Sequence, residues 1–136
     1  MGRLLAIDYG TKRVGIAVSD PLKIIATALD TIHSKDVMDF LKKYHLTENI
    51  EKFVVGMPKN LDGTTTDATK HVEIFIKQLK KNFPDISIHL IDERYTSKIA
   101  QQSMIASGMK KKDRQVKSNI DKISAVIILQ DFMKSN

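Results

Sequence analysis

The sequence predicts an α/β domain: a five-stranded mixed sheet, three antiparallel strands then parallel ones, flanked by helices. Three observations carry that expectation. Three short apolar runs come first, separated by brief polar breaks, and alternate with nothing helical. Two later apolar runs each follow an amphipathic stretch. Two of the runs, Leu4–Ile7 and Phe53–Val55, are apolar at consecutive positions, as in central strands covered on both faces.

Leu4–Ile7 stops at Asp8-Tyr9-Gly10-Thr11, Val14–Val18 stops at Ser19-Asp20-Pro21, and Ile24–Ile32 completes the antiparallel group. Val37, Phe40, Leu41 and Tyr44 recur at i, i+3, i+4 and i+7, a helical stripe. Phe53–Val55 ends at Gly56-Met57-Pro58. Ala68, Val72, Phe75, Ile76, Leu79 and Phe83 mark a long helix, with Glu73 and Lys77 paired on its wet side. Ile86–Ile91 is the last strand, and helices are expected at about 97–107 and 119–134. A helix between strands implies a crossover joining parallel neighbours. The first, fourth and fifth strands therefore end on one edge of the sheet, where open α/β sheets bind ligands. Asp8, Gly56 and Asp92-Glu93 stand there.

The chain of 136 residues reads as one domain, 1–136, long enough for a core without disulfides. With no cysteine, a disulfide scaffold, a thiolate metal site and a cysteine nucleophile are excluded. No apolar run approaches the ~18 residues of a membrane span, and Asp8 interrupts what a signal peptide would continue. The expectation is a cytoplasmic protein with no membrane partner. Lys and Arg number 22 against 16 Asp and Glu, a net +6 that favours a polyanionic partner.

Most acids have local explanations. Asp8 does not, because a charge ending a central strand costs several kcal/mol unless it is hydrogen-bonded, paired or metal-bound. It is either a carboxylate capped by the amides of the Gly10 turn or a site residue. Asp92-Glu93-Arg94 is either a strand-end ion pair or part of the same site. Asp121 fits a capping box with Ser118, yet it also begins the apolar stripe Ala125, Ile128, Leu129, Phe132, which must dock on the sheet. Acids from two strand ends and a docking helix would repel unless they shared a hard cation. Mg²⁺ and Mn²⁺ prefer such oxygen ligands. Two of these ions about 4 Å apart activate water and stabilise the leaving oxygen in phosphodiester cleavage.

The segment Asp8-Tyr9-Gly10-Thr11-Lys12-Arg13-Val14-Gly15-Ile16-Ala17 resembles the opening of the YqgF family, RNase H-like proteins also labelled Holliday junction resolvases. The resemblance continues through Val55-Gly56-Met57-Pro58 with Asp62-Gly63-Thr64, then Asp92-Glu93-Arg94-Tyr95-Thr96. It ends with Ile120-Asp121-Lys122-Ile123-Ser124-Ala125 and Ile128-Leu129-Gln130. It implies an RNase H-like fold, with Asp8, Glu93 and Asp121 as catalytic, metal-binding acids for Mg²⁺ or Mn²⁺. It also implies nuclease action at the 5′ end of precursor 16S ribosomal RNA. Ser124 stands where the family tends to have alanine, and Tyr95 where leucine or phenylalanine is usual.

By the same resemblance Gly56 admits a backbone to the crevice, or simply ends its strand. Lys12 and Arg13 face phosphate, or form a solvated hairpin tip. Arg94 positions phosphate or orients a neighbouring acid. Lys110, Lys111, Lys112, Arg114 and Lys117, with Asp113 the one acid among residues 110–117, carry a net +4. They are a phosphate clamp or a solvated charge run. Histidines 33, 45, 71 and 89 lack metal-site spacing and read as surface or strand residues. The expected partner is nucleic acid, RNA ahead of DNA, within ribosome precursors, bound by a monomer or weak dimer. A four-way DNA junction resolvase and a non-catalytic RNA-binding assembly factor remain alternatives. An actin-like nucleotide-binding fragment is excluded by length and by the lack of a phosphate-loop motif.

Overall fold

The computed structural model describes residues 2–58, 67–92 and 117–135, with the backbone alone over 117–122 and at residue 135. Strands β1 (Arg3–Tyr9), β2 (Arg13–Ser19) and β3 (Ala26–His33) are followed by helix α1 (Val37–Glu48) and strand β4 (Ile50–Met57). Helix α2 (Asp67–Asn82), strand β5 (Ser87–Asp92) and helix α3 (Lys117–Ser135) follow. The sheet order is β3-β2-β1-β4-β5. Pairs β1–β2 and β2–β3 are antiparallel, and β1–β4 and β4–β5 are parallel. This is the mixed sheet that the apolar runs imply.

Residue parity divides the core between the two faces. Leu5, Ile7, Val14, Ile16, Phe53 and Val55 point to one side, where they meet Val37 and Leu41 of α1 and Val72, Phe75, Ile76 and Leu79 of α2. Leu4, Ala6, Ala17 and Val54 point to the other, against Ala125, Ile128, Leu129 and Phe132 of α3. Both faces of β1 and β4 are therefore sealed, which is why their sequences are apolar at every step. On the α3 side the strands carry alanines, so the helix can approach closely.

The last turn of α3 fixes its direction. Gln130, Met133 and Lys134 line a groove of about 560 Å³ with Lys23, Ile24, Ile25 and Ala26, at the β2–β3 turn. That turn lies beyond the amino end of β1. A helix of 19 residues, ~28 Å long at 1.5 Å per residue, is thereby aimed with its first turn toward the opposite edge.

Two boundaries differ from the sequence expectation. β3 begins at Ala26, and Ile24 and Ile25 stand in the turn, 68% and 62% exposed. The Asp20 side chain is the reason. Its Oδ1 accepts the N–H groups of Ile24 (2.7 Å) and Ile25 (2.8 Å), and Lys23 is left-handed at φ 60°. A carboxylate holding two successive amides closes a turn that apolar pattern cannot reveal. Similarly, α3 starts at Lys117, ahead of the expected start at about 119. The helix expected at 97–107 lies outside the described residues.

Between β2 and β3 the register shifts once. Ile16 pairs with Asp30 but Ala17 with Ala28, leaving Leu29 as an extra residue on β3.

Candidate nuclease site

The parallel registers Ile7↔Val55 and Gly56↔Ile91 align the carboxyl ends of β1, β4 and β5 at one edge. Asp8 is held there by its neighbours. Ile7 is fully buried on the α1/α2 side. Tyr9 stacks on Phe75 of α2, with ring centroids 4.4 Å apart and planes 22° from parallel. With both neighbours fixed on that side, strand alternation turns the Asp8 carboxylate to the α3 face.

The two flanking positions on that face are glycines. Gly15 of β2 is the direct partner of Asp8. Gly56 of β4 is one step past the Ile7↔Val55 pair and so stands beside Asp8 on the other side. Cross-strand side chains sit about 5 Å apart in a sheet. Neither strand therefore places a side chain next to the carboxylate on this face. Gly56 and Gly15 thus both stand beside Asp8 on this face, and Gly15 carries no motif that singles it out in the sequence.

Beyond Asp8 the β1–β2 tip turns at Gly10, where a Cβ would come within 2.6 Å of the Arg13 carbonyl oxygen. Only glycine closes this turn. The tip is clasped from the β3–α1 junction. Ser34 donates its hydroxyl to the Thr11 carbonyl (2.6 Å) and its N–H to the Lys12 carbonyl (3.1 Å). Lys12 and Arg13 are both exposed on this clasped tip.

Asp92 closes β5 opposite Met57, and Met57 belongs to the α1/α2 core. Asp92 thus faces away from Asp8. Of the other expected residues, Glu93, Arg94, Lys110, Lys111, Lys112 and Arg114 lie outside the described residues. Lys117 opens α3, and Asp121 stands in that helix one turn before the fully buried Ala125. Among the described residues no three His, Asp or Glu side chains gather into a metal site. Asp8 is the one member of the expected acidic set whose side chain is described.

Register brings two further residues to the Asp8 face. Thr31 pairs with Gly15 and His33 with Arg13. His33 is an exposed strand residue, in line with its lack of metal-site spacing. Its place on the Asp8 face was hidden because the Leu29 bulge changes the alternation. Ser124 of α3 is 1% exposed, and its Oγ has no hydrogen-bond partner among the described residues.

Two carboxylates at the other end of the sheet have displaced pKa values. The amides of Ile25 and Ile24 hold Asp20 below its ordinary 3.8, and the Lys23 ammonium, 2.9 Å away, lowers Glu51. Both stabilise the β2–β3 turn and leave the Asp8 edge untouched.

A five-stranded mixed sheet with an acid ending its central strand defines an RNase H-like α/β domain. The solved structures that resemble it agree. Thermus thermophilus RuvC in complex with a Holliday junction substrate aligns with a TM-score of 0.56 at 11% identity, covering 99% of this chain and 96% of that one. A second T. thermophilus RuvC structure aligns with a TM-score of 0.55 at 12% identity, covering 98% and 95%.

Residues 2–135 match the family model described as "RuvX: Holliday junction resolvase", and the chain belongs to that family of nucleases. A relative from Amoebophilus asiaticus named "Putative pre-16S rRNA nuclease" is 51% identical over 135 residues, covering 99% of this chain and 96% of the relative. One of the same name from Flavobacterium psychrophilum is 50% identical over 133 residues, covering 98% and 97%. Among the described residues no helix is long and apolar enough to cross a membrane.

Proposed function

We propose that this chain is a divalent-metal-dependent endonuclease whose substrate is the 5′ end of precursor 16S ribosomal RNA. The observation that carries the reading is the Asp8 carboxylate at the end of β1, between Gly15 and Gly56. The relatives' name supplies the RNA substrate. The protein acts in the cytoplasm as a monomer or weak dimer.

The donor set suits Mg²⁺ or Mn²⁺, since carboxylate oxygens match a hard cation that keeps water and phosphate in its shell. Asp8, Glu93 and Asp121 would hold it. When bound, the metal supplies an activated water and charge stabilisation at the leaving oxygen. The chain's own part is positional. The stacked Tyr9 and buried Ile7 fix the aim of Asp8, and the paired glycines admit the phosphate. Lys12, Arg13, Arg94 and the basic run Lys110, Lys111, Lys112, Arg114 and Lys117 hold the backbone without reading sequence.

The family description and the RuvC-like fold favour a second reading, cleavage of four-way DNA junctions. The test is cleavage of single-stranded RNA, precursor 16S RNA and a four-way junction, with Mg²⁺, Mn²⁺ or chelator, by wild type and Asp8→Asn. Metal-dependent RNA cleavage lost in the variant supports the first reading. Junction cleavage alone promotes the second. Equal activity of wild type and variant removes the catalytic assignment and leaves a non-catalytic RNA-binding factor.

A further inference from the structure

We propose that Arg13 and His33 together seat the phosphate adjacent to the scissile one on a bound RNA strand. The proposal rests on the nuclease reading and adds a defined position to it. Arg13 and His33 are direct partners across the β2–β3 ladder. Arg13 lies two residues before Gly15, so alternation gives it the face of Gly15, Ala17 and, across the β1–β2 pairing, Asp8. His33 shares that face through its pairing. The seat thus lies one pleat repeat beyond Asp8, about 7 Å along the strands, and between one and two strand spacings of about 4.8 Å across, roughly 10 Å in all. The reach of the Arg13 and His33 side chains brings a phosphate next to the scissile one within that span.

The two side chains offer complementary donors. A guanidinium presents a planar fork to phosphate oxygens. The His33 ring is oriented by its own turn. Its Nδ1 accepts the Lys35 N–H at 3.1 Å, which leaves Nε2 as the ring's donor. Both residues are exposed, and nothing buried must open to admit a ligand.

The strands carrying the pair are fixed to each other. The two Ser34 hydrogen bonds to Thr11 and Lys12 tie the β1–β2 tip to the end of β3. Asp36 N–H donates to the His33 carbonyl at 2.9 Å, anchoring the following turn. A seat built across two strands and braced from a third segment is preorganised, so little ordering is required when a strand binds.

The test measures binding of a fluorescent 12-nucleotide single-stranded RNA in chelator, at several salt concentrations, to wild type, Arg13→Gln, His33→Leu and His33→Gln. Arg13→Gln should weaken binding about tenfold and reduce the slope of log K against log salt by about 0.7, one phosphate contact. His33→Leu should weaken binding several-fold, and His33→Gln, which restores a donor near the Nε2 position, should recover most of it.

Unchanged affinity and slope in Arg13→Gln and His33→Leu would overturn the seat. So would His33→Gln binding as weakly as His33→Leu, or wild type that does not bind the RNA. Cleavage that is lost in Asp8→Asn while these binding constants stay level removes the seat and leaves the nuclease reading standing. Loss of binding in the variants of a protein that cleaves nothing does the reverse. In a cleaving enzyme, a neutral methylphosphonate next to the cut should slow wild type and leave Arg13→Gln no slower than before. Equal slowing of both overturns the position of the seat.

Discussion

Asp8 and Gly15 face each other across the β1–β2 ladder, so the residue directly opposite the edge carboxylate has no side chain. Gly56 repeats this on the β4 side. A methyl group at either site would enter the space beside the carboxylate. Gly15→Ala and Gly56→Ala should each lower kcat/KM about tenfold or more, since small misplacements at a reacting centre are costly. Both glycines are buried, so the melting temperature of each variant is read alongside, to separate overpacking from a change at the site. Full activity with intact folding in both variants would show that the space is not used.

Two serines buried to the same degree should respond oppositely to alanine. Ser19 Oγ accepts the Leu4 N–H (2.9 Å) and donates to the Asp20 carbonyl (2.9 Å). Ser19→Ala orphans a buried amide and should cost about 1–3 kcal/mol. Ser124 Oγ has no partner among the described residues, so Ser124→Ala should be neutral or stabilise by about 1 kcal/mol. Urea denaturation measures both, read as a shift in midpoint at constant m. A loss of stability in Ser124→Ala would refute the second expectation.

The Asp20 turn should loosen in acid. Hydrogen bonds from Ile25 and Ile24 hold its carboxyl below 3.8 in the folded chain. Its contribution is therefore complete above that pH and fades as pH falls through the depressed value. The amide proton resonances of Ile24 and Ile25 should titrate together with a midpoint below 3.8. A midpoint at or above the ordinary value would mean the two hydrogen bonds do not hold the turn in solution.

Apolar residues of similar character should differ widely in their worth. Phe53 is fully buried and meets Phe83 edge-on at 5.1 Å. Phe53→Ala should cost about 3–5 kcal/mol. Ile24 is 68% exposed, and Ile24→Thr should stay within about 0.5 kcal/mol. Comparable losses for the two would place Ile24 in a buried interface.

The mixed sheet of antiparallel then parallel strands, and the position of Asp8 at its edge, were legible in the sequence because they follow from apolar runs and their spacing. Leu4–Ile7 and Phe53–Val55 announce a covered centre, and an acid ending one of them marks the edge. The start of β3 was not legible, because Asp20 folds Ile24 and Ile25 into a turn through side-chain hydrogen bonds that leave no periodic trace. The opposed facing of Asp92 and Asp8 needed the register of β4 with β5. His33 needed the register of β2 with β3, which composition does not encode.

The Leu29 bulge gives β3 a phase. Before it, Ala26 and Ala28 turn toward α3; after it, Thr31 and His33 do, on odd positions in place of even ones. Removing Leu29 would make Ala28 and Asp30 adjacent and keep their pairing with Ala17 and Ile16, so Thr31 and His33 would stay on the Asp8 face. The bulge thus absorbs one residue of length in the edge strand without exchanging inside for outside. Its effect falls on the bend and twist of β3, and so on how the far end of that strand is presented to a ligand.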